Sequence, residues 1–185
     1  MSAVSARLGL SLVEKVLRIV SQRGDFNGDP GRLGQLGDAA RTESARLARY
    51  ADEDIAAFNE YMACRRLAKD TPRQMDDRER AIAAALRTTI EIPMNVARSA
   101  IAGIDLCTGT SGFVHAFVAA DLGAAAELLA GAVRAALLSV DFNLGQIPHD
   151  SQFYRDVLVE RHELQSQALL KTDALVQRIA TIMNA

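Results

Sequence analysis

The chain has 185 residues, 49% hydrophobic and 24% charged, with four prolines. That composition excludes a disordered polymer and predicts one domain spanning residues 1–185. Aromatics make up 5%, Trp is absent and alanine supplies about one residue in six, so the core is built of small aliphatic side chains. Helices are favoured and an all-β fold is excluded. With 21 basic and 23 acidic residues the formal charge is −2, which offers nucleic acid no net attraction.

Cys64 and Cys107 have no metal-ligand spacing, and a chain of this length needs no disulfide to hold a core, so reduced thiols and cytoplasmic residence are expected. The most apolar stretch, residues 122–140, is interrupted by Glu127 and Arg134, which argues against a membrane span. The N-terminal apolar pattern carries Arg7, Glu14, Lys15 and Arg18, the pattern of a helix and not of a secretory signal.

Val4, Leu8, Leu12 and Val16 recur at four residues and predict a first helix starting almost at Met1. The segment GDFNGDPG, residues 24–31, ends it, with Asp29 and Pro30 placed as N-cap and first residue of the next helix. That second helix is expected over residues 30–68, its apolar face including Leu33, Leu36, Leu47, Ile55 and Phe58. A third follows Thr71 and Pro72, from about Asp76 to Ile104, with a kink at Pro93. The stretch CTGTSG, residues 107–112, reads as a turn. Residues 113–144 read as one long or broken helix whose small side chains place it centrally. A fifth helix begins after Pro148, capped by Asp150 or Ser151. Together these define an all-α, elongated antiparallel bundle of about five long helices. So thin a bundle leaves apolar surface uncovered, so a homodimer burying the alanine-rich face is expected.

The glycines of GDPGRLGQLG lack the Lys-Ser/Thr of a phosphate-binding loop, and no HExxH, CxxC or GxSxG occurs, so neither a metal nor a nucleophilic triad is expected. Asp121 stands out because it lies between apolar, alanine-rich segments. A carboxylate buried there needs a hydrogen bond or a cation. It either caps a helix restarting after a break or faces a cleft and meets a cationic ligand. Asp54 poses the same question among the solvated acids Asp52, Glu53 and Glu60. His115 is a lone histidine in apolar surroundings, structural or ligand-facing.

Three segments in order, DEDIAAFNEYMACRRL with Asp54, Ala57 and Phe58, IEIPMNVAR with Pro93, and ADLGAAAELLAGAVRAALLSVDFNL with Asp121 and Asn143, resemble the cyclodeaminase/cyclohydrolase family over essentially the whole chain. The resemblance implies an all-helical homodimer that binds a one-carbon-substituted tetrahydrofolate as substrate, without metal or further cofactor. Members usually carry a Pro-Gly-Gly-Gly-Ser segment before the first helix, where this chain reads MSAVSARLGLSL. Either Met1 is internal to a longer protein or this is a degenerate relative with weakened binding. In the turn before Asp121 the family often has Gly-Asn and Ser-Asp, where this chain has TGTSGFVHAFVAAD.

Carried onto this sequence, the resemblance assigns Asp121 the role of base or cation stabiliser. Asp54 or Asn143 would accept the pterin hydrogens, and Phe58 would stack on the ring unless it is simply core. His115, which has no counterpart in the family pattern, is added as a substrate-binding candidate from its own position. Arg41, Arg46, Arg65, Arg66 and Arg98 all compete for the glutamate tail. The expected reaction is hydrolysis of 5,10-methenyltetrahydrofolate to 10-formyltetrahydrofolate, ahead of formiminotetrahydrofolate cyclodeamination, with a non-catalytic folate-binding or complex-forming dimer as the third possibility.

Overall fold

The structure is a computed structural model that describes residues 1–24, 26 and 28–184. Five helices form among the described residues: α1 (Ser2–Arg23), α2 (Pro30–Arg65), α3 (Pro72–Thr110), α4 (Ala116–Leu144) and α5 (Gln152–Met183). The all-α reading holds, and the differences are at the ends.

Local chemistry explains the boundaries. Gly24 closes α1 with φ 69°, a left-handed conformation open to glycine. Gly28 has φ 138°, while Asp25 and Asn27 of the expected turn lie outside the described residues. Asp29 caps α2 by accepting from the Gly31 and Arg32 amides, satisfying two of the helix's unpaired donors. Thr71 and Gln74 form a reciprocal capping box, so α3 starts at Pro72 and not near Asp76,. It also runs past Ile104 to Thr110, absorbing most of the predicted turn; Thr108 and Thr110 donate back to the Ile104 and Leu106 carbonyls. Ser151 caps α5 by accepting from the Tyr154 amide.

Helix α4 is long and apolar enough to cross a membrane by composition, yet it packs on α3, α1 and α5. Ala125, Ala126, Leu129, Val133 and Ala136 are wholly buried. Neighbouring backbones come close because glycines face it. A Cβ placed on Gly9 of α1 would lie 2.8 Å from Leu129 Cγ and 3.0 Å from the Ala125 carbonyl oxygen, and one on Gly103 of α3 would lie 2.8 Å from Leu129 Cδ2.

Helix α2 departs from the sequence expectation in its second half. Leu33, Leu36, Ala40 and Leu47 are buried, but Ile55 and Phe58 are 64% and 59% exposed. The apolar stripe there faces outward. Helix α2 packs on α1 and α3, and α4 packs on the same two helices, but α2 and α4 do not pack on each other. A gap between them follows from this arrangement.

Candidate functional site

That gap is a cavity of about 760 Å³, walled on one side by Asp54, Phe58, Tyr61, Met62 and Arg65 of α2 and on the other by residues at the end of α4, with Thr89 of α3 between. The α2 residues are spaced at four, three, one and three, which aligns them on one face of a helix. From α4 come Leu138, Ser139, Phe142 and Asn143. The volume is within the range that encloses a drug-sized molecule.

Asn143 is fixed by an interaction rooted in the sequence. Pro93 lies inside α3 and has no N–H, so the carbonyl four residues earlier, that of Thr89, loses its helical donor. The Asn143 side-chain amide donates to this carbonyl at 3.0 Å. With its NH₂ so held, the Asn143 Oδ1 is left as an acceptor at the cavity wall. Pro93 thereby positions a residue of the site 50 positions further along the chain.

Tyr61 Oη donates to Gln146 Oε1 at 2.8 Å across the gap, tying α2 to the turn after α4. Arg65 stands 5.8 Å from the Tyr61 ring centroid and is the cation among the cavity residues. A smaller cavity of about 130 Å³ adjoins the first, sharing Asp54 and Ser139 and reaching Met1, Tyr50 and Pro93.

Three sequence-predicted residues, Asp54, Phe58 and Asn143, are therefore brought together. Phe58 is exposed at this site and is not core. Asp121 and His115 are not among them. Asp121 lies 22 residues before Asn143 on the same helix, about 33 Å away at 1.5 Å per residue. It is not dry: its side chain is 36% exposed and accepts from Lys15 Nζ at 2.8 Å. It is also no cap, because α4 starts at Ala116 without a break before Asp121. His115 occupies the N-cap position of α4, exposed and without a side-chain bond to the helix amides. A further cavity, about 710 Å³, separates α1 from α2 and includes Lys15.

The arginines sort themselves. Arg41 and Arg46 pair with Asp38 and Glu43 on α2 itself. Arg98 donates to both Glu160 carboxylate oxygens at 2.6 Å, which raises its own pKa and lowers that of Glu160. Arg65 alone of the five lines this cavity. Tyr61, Met62, Ser139 and Gln146 were not singled out in the sequence. For the first two the signal was available, since they follow Phe58 by three and four residues in the half of α2 that turns away from the core. Among the described residues no three His, Cys, Asp or Glu side chains group to hold a metal ion.

An all-helical chain with a cleft walled by a carboxylate, a fixed amide and aromatic rings is a small-molecule binding fold in form. Comparison with known proteins specifies it. The chain belongs to the formiminotransferase-cyclodeaminase family, whose sequence model matches residues 1–163. It is 27% identical over 188 residues to formimidoyltransferase-cyclodeaminase of Sus scrofa, covering 97% of this chain and 34% of the relative, so it spans about a third of that protein's length. The crystal structure of a formiminotetrahydrofolate cyclodeaminase from Thermotoga maritima superposes with a TM-score of 0.80 at 20% identity, over 99% of this chain and 85% of that one. That likeness establishes the shared fold.

Proposed function

We propose that the chain is an enzyme of folate one-carbon metabolism that closes 5-formiminotetrahydrofolate to 5,10-methenyltetrahydrofolate with release of ammonia, in the cavity between α2 and α4. The observation that carries this is the convergence of Asp54, Phe58 and Asn143, three residues of the family pattern, on one cleft with Arg65 at its edge. The names of the relatives favour cyclodeamination over the hydrolysis ranked first from the sequence alone.

Each group suits a part of such a substrate. The exposed Phe58 and Phe142 rings present flat apolar surface to a pterin. Asn143 Oδ1 accepts an N–H, and Arg65 meets a carboxylate of the glutamate tail. Starting from the protonated formimino group (N5–CH=NH₂⁺), ring closure requires N10 to attack the formimino carbon and lose its proton, and the resulting amino group to gain one and leave as ammonia. Asp54 relays these protons, taking one from N10 and returning one to the departing nitrogen. The product is an amidinium cation, which a carboxylate stabilises electrostatically.

The test follows both reactions side by side: appearance of the methenyl chromophore with ammonia from formiminotetrahydrofolate, and its disappearance from methenyltetrahydrofolate. Asp54→Asn should lower turnover about 10²–10⁴-fold, the usual span for a lost proton-transfer group, with the melting temperature unchanged. Full activity in Asp54→Asn overturns the assignment, and hydrolysis without ammonia release favours the cyclohydrolase.

A further inference from the structure

The cavity of about 710 Å³ between α1 and α2 is separate from the proposed folate cleft. Arg41, its wall residue nearest that cleft along α2, precedes Asp54 by about 20 Å of helical rise. Three cations reach the cavity, Lys15 and Arg18 from α1 and Arg41 from α2, against one carboxylate, Glu14, which leaves a formal charge of +2. Lys15 and Arg41 hold partners outside it, Asp121 and Asp38, but all four side chains are more than a third exposed. Ion pairs of that kind contribute little, so an arriving anion can replace them. The Arg18 guanidinium forms no ion pair or hydrogen bond among the described residues. Glu14 nevertheless stands four residues before it, the spacing at which a helical ion pair forms most readily.

The α2 wall of this cavity is bare backbone at Gly34 and Gly37. A Cβ on Gly34 would meet nothing within 4 Å, and one on Gly37 would meet only the Arg41 guanidinium, at 3.6 Å. Packing within the chain therefore requires neither glycine, although glycine is a poor helix former. Bare backbone lets a ligand approach α2 closely. Leu17, Leu33, Phe26 and Pro30 add apolar surface toward the turn between the helices. Ser11 and Ser21, at the two ends of the cavity, are about 15 Å apart along α1.

We propose that this cavity binds a phosphate monoester carried on a flat apolar group, with the phosphate among Lys15, Arg18 and Arg41 and the apolar part lying over Gly34 toward Phe26. A monoester phosphate is close to a dianion at neutral pH and so balances the charge of the walls, whereas a single carboxylate brings half as much. Two guanidinium groups and one ammonium supply it with charge-assisted hydrogen bonds. Gly34 leaves the slot in which a ring lies against the helix, and Leu17 and Leu33 form its floor. The volume is within the range that encloses a molecule of this kind.

Titration calorimetry of the full chain with 1-naphthyl phosphate tests this. One saturable site is expected, weakened by added salt, with 1-naphthol and inorganic phosphate each binding at least about tenfold more weakly. Arg18→Gln and Gly34→Leu should each lower the affinity at least about tenfold, whereas Glu14→Gln should raise it by removing a like charge. Arg18 is exposed and Gly34 faces open space, so both variants should melt no lower than the unaltered chain. Absence of saturable binding, or binding that Arg18→Gln and Gly34→Leu leave unchanged, overturns the site. Equal affinity for 1-naphthol overturns the role of the cations, and equal affinity for inorganic phosphate overturns that of the apolar surface. Asp54→Asn should bind 1-naphthyl phosphate as the unaltered chain does, so the outcome is independent of whether the other cleft turns over folate.

Discussion

At the scale of single residues, the coupling of Pro93, Thr89 and Asn143 links a backbone defect to a site. The proline removes a donor from α3, and the amide of Asn143 replaces it. Asn143→Ala should therefore destabilise the fold by about 1–3 kcal/mol, the usual penalty for a buried carbonyl left unpaired. In a Pro93→Ala background, where the restored N–H reaches Thr89, the same change should cost less than about 1 kcal/mol. Urea unfolding of the four proteins measures the coupling; equal losses in both backgrounds would show the bond to be incidental. The family resemblance placed Asn143 among the candidates, but not its attachment, because that depends on a helix 50 residues away in sequence lying alongside.

Among the helices, the close approaches on α4 decide which glycines matter. Gly9 meets Leu129 and the Ala125 carbonyl, whereas a Cβ on Gly34 would meet nothing within 4 Å. Ala is favoured over Gly in a helix by about 1 kcal/mol, so propensity alone predicts the same gain at both. Packing reverses the sign at one of them: Gly9→Ala should lose about 1–3 kcal/mol through forced displacement of α1 from α4, and Gly34→Ala should gain up to about 1 kcal/mol. Calorimetry on the two variants checks this, and a stabilised Gly9→Ala would mean α1 has room to move. The helices themselves were readable from period and caps, as Asp29 and Ser151 show. The outward turn of α2 at Ile55 and Phe58 was not, because an apolar stripe has the same spacing whether it meets a core or a ligand.

For the whole molecule, three ion pairs help fasten α5 to the rest: Arg98 with Glu160, Asp141 with Arg161, and Asp105 with Lys171. Hydrogen bonding from Arg98 holds the Glu160 carboxyl below the usual glutamate range. A carboxylate with a depressed folded-state pKa contributes stability that is complete above its unfolded value, near 4.3, and is lost as pH falls through the folded value. Glu160→Gln should therefore be less stable than wild type at neutral pH, with the difference shrinking as pH falls below the unfolded glutamate value and gone once it is below the depressed folded one,. Both side chains are over a third exposed, so the gap should also shrink in high salt. A difference independent of pH would assign the loss to packing. Asp121 shows why the site was only partly legible at this scale. Its alanine-rich surroundings suggested burial, yet those alanines line a central helix with one open side, and a single sequence does not reveal which side of such a helix is covered.

The anchoring of Asn143 has a kinetic consequence. With its amide already bound to the protein, this side chain presents the same acceptor to every arriving molecule and has no rotamer search to complete. Association should then follow one exponential whose rate rises linearly with ligand concentration, without the plateau that a slow rearrangement would impose.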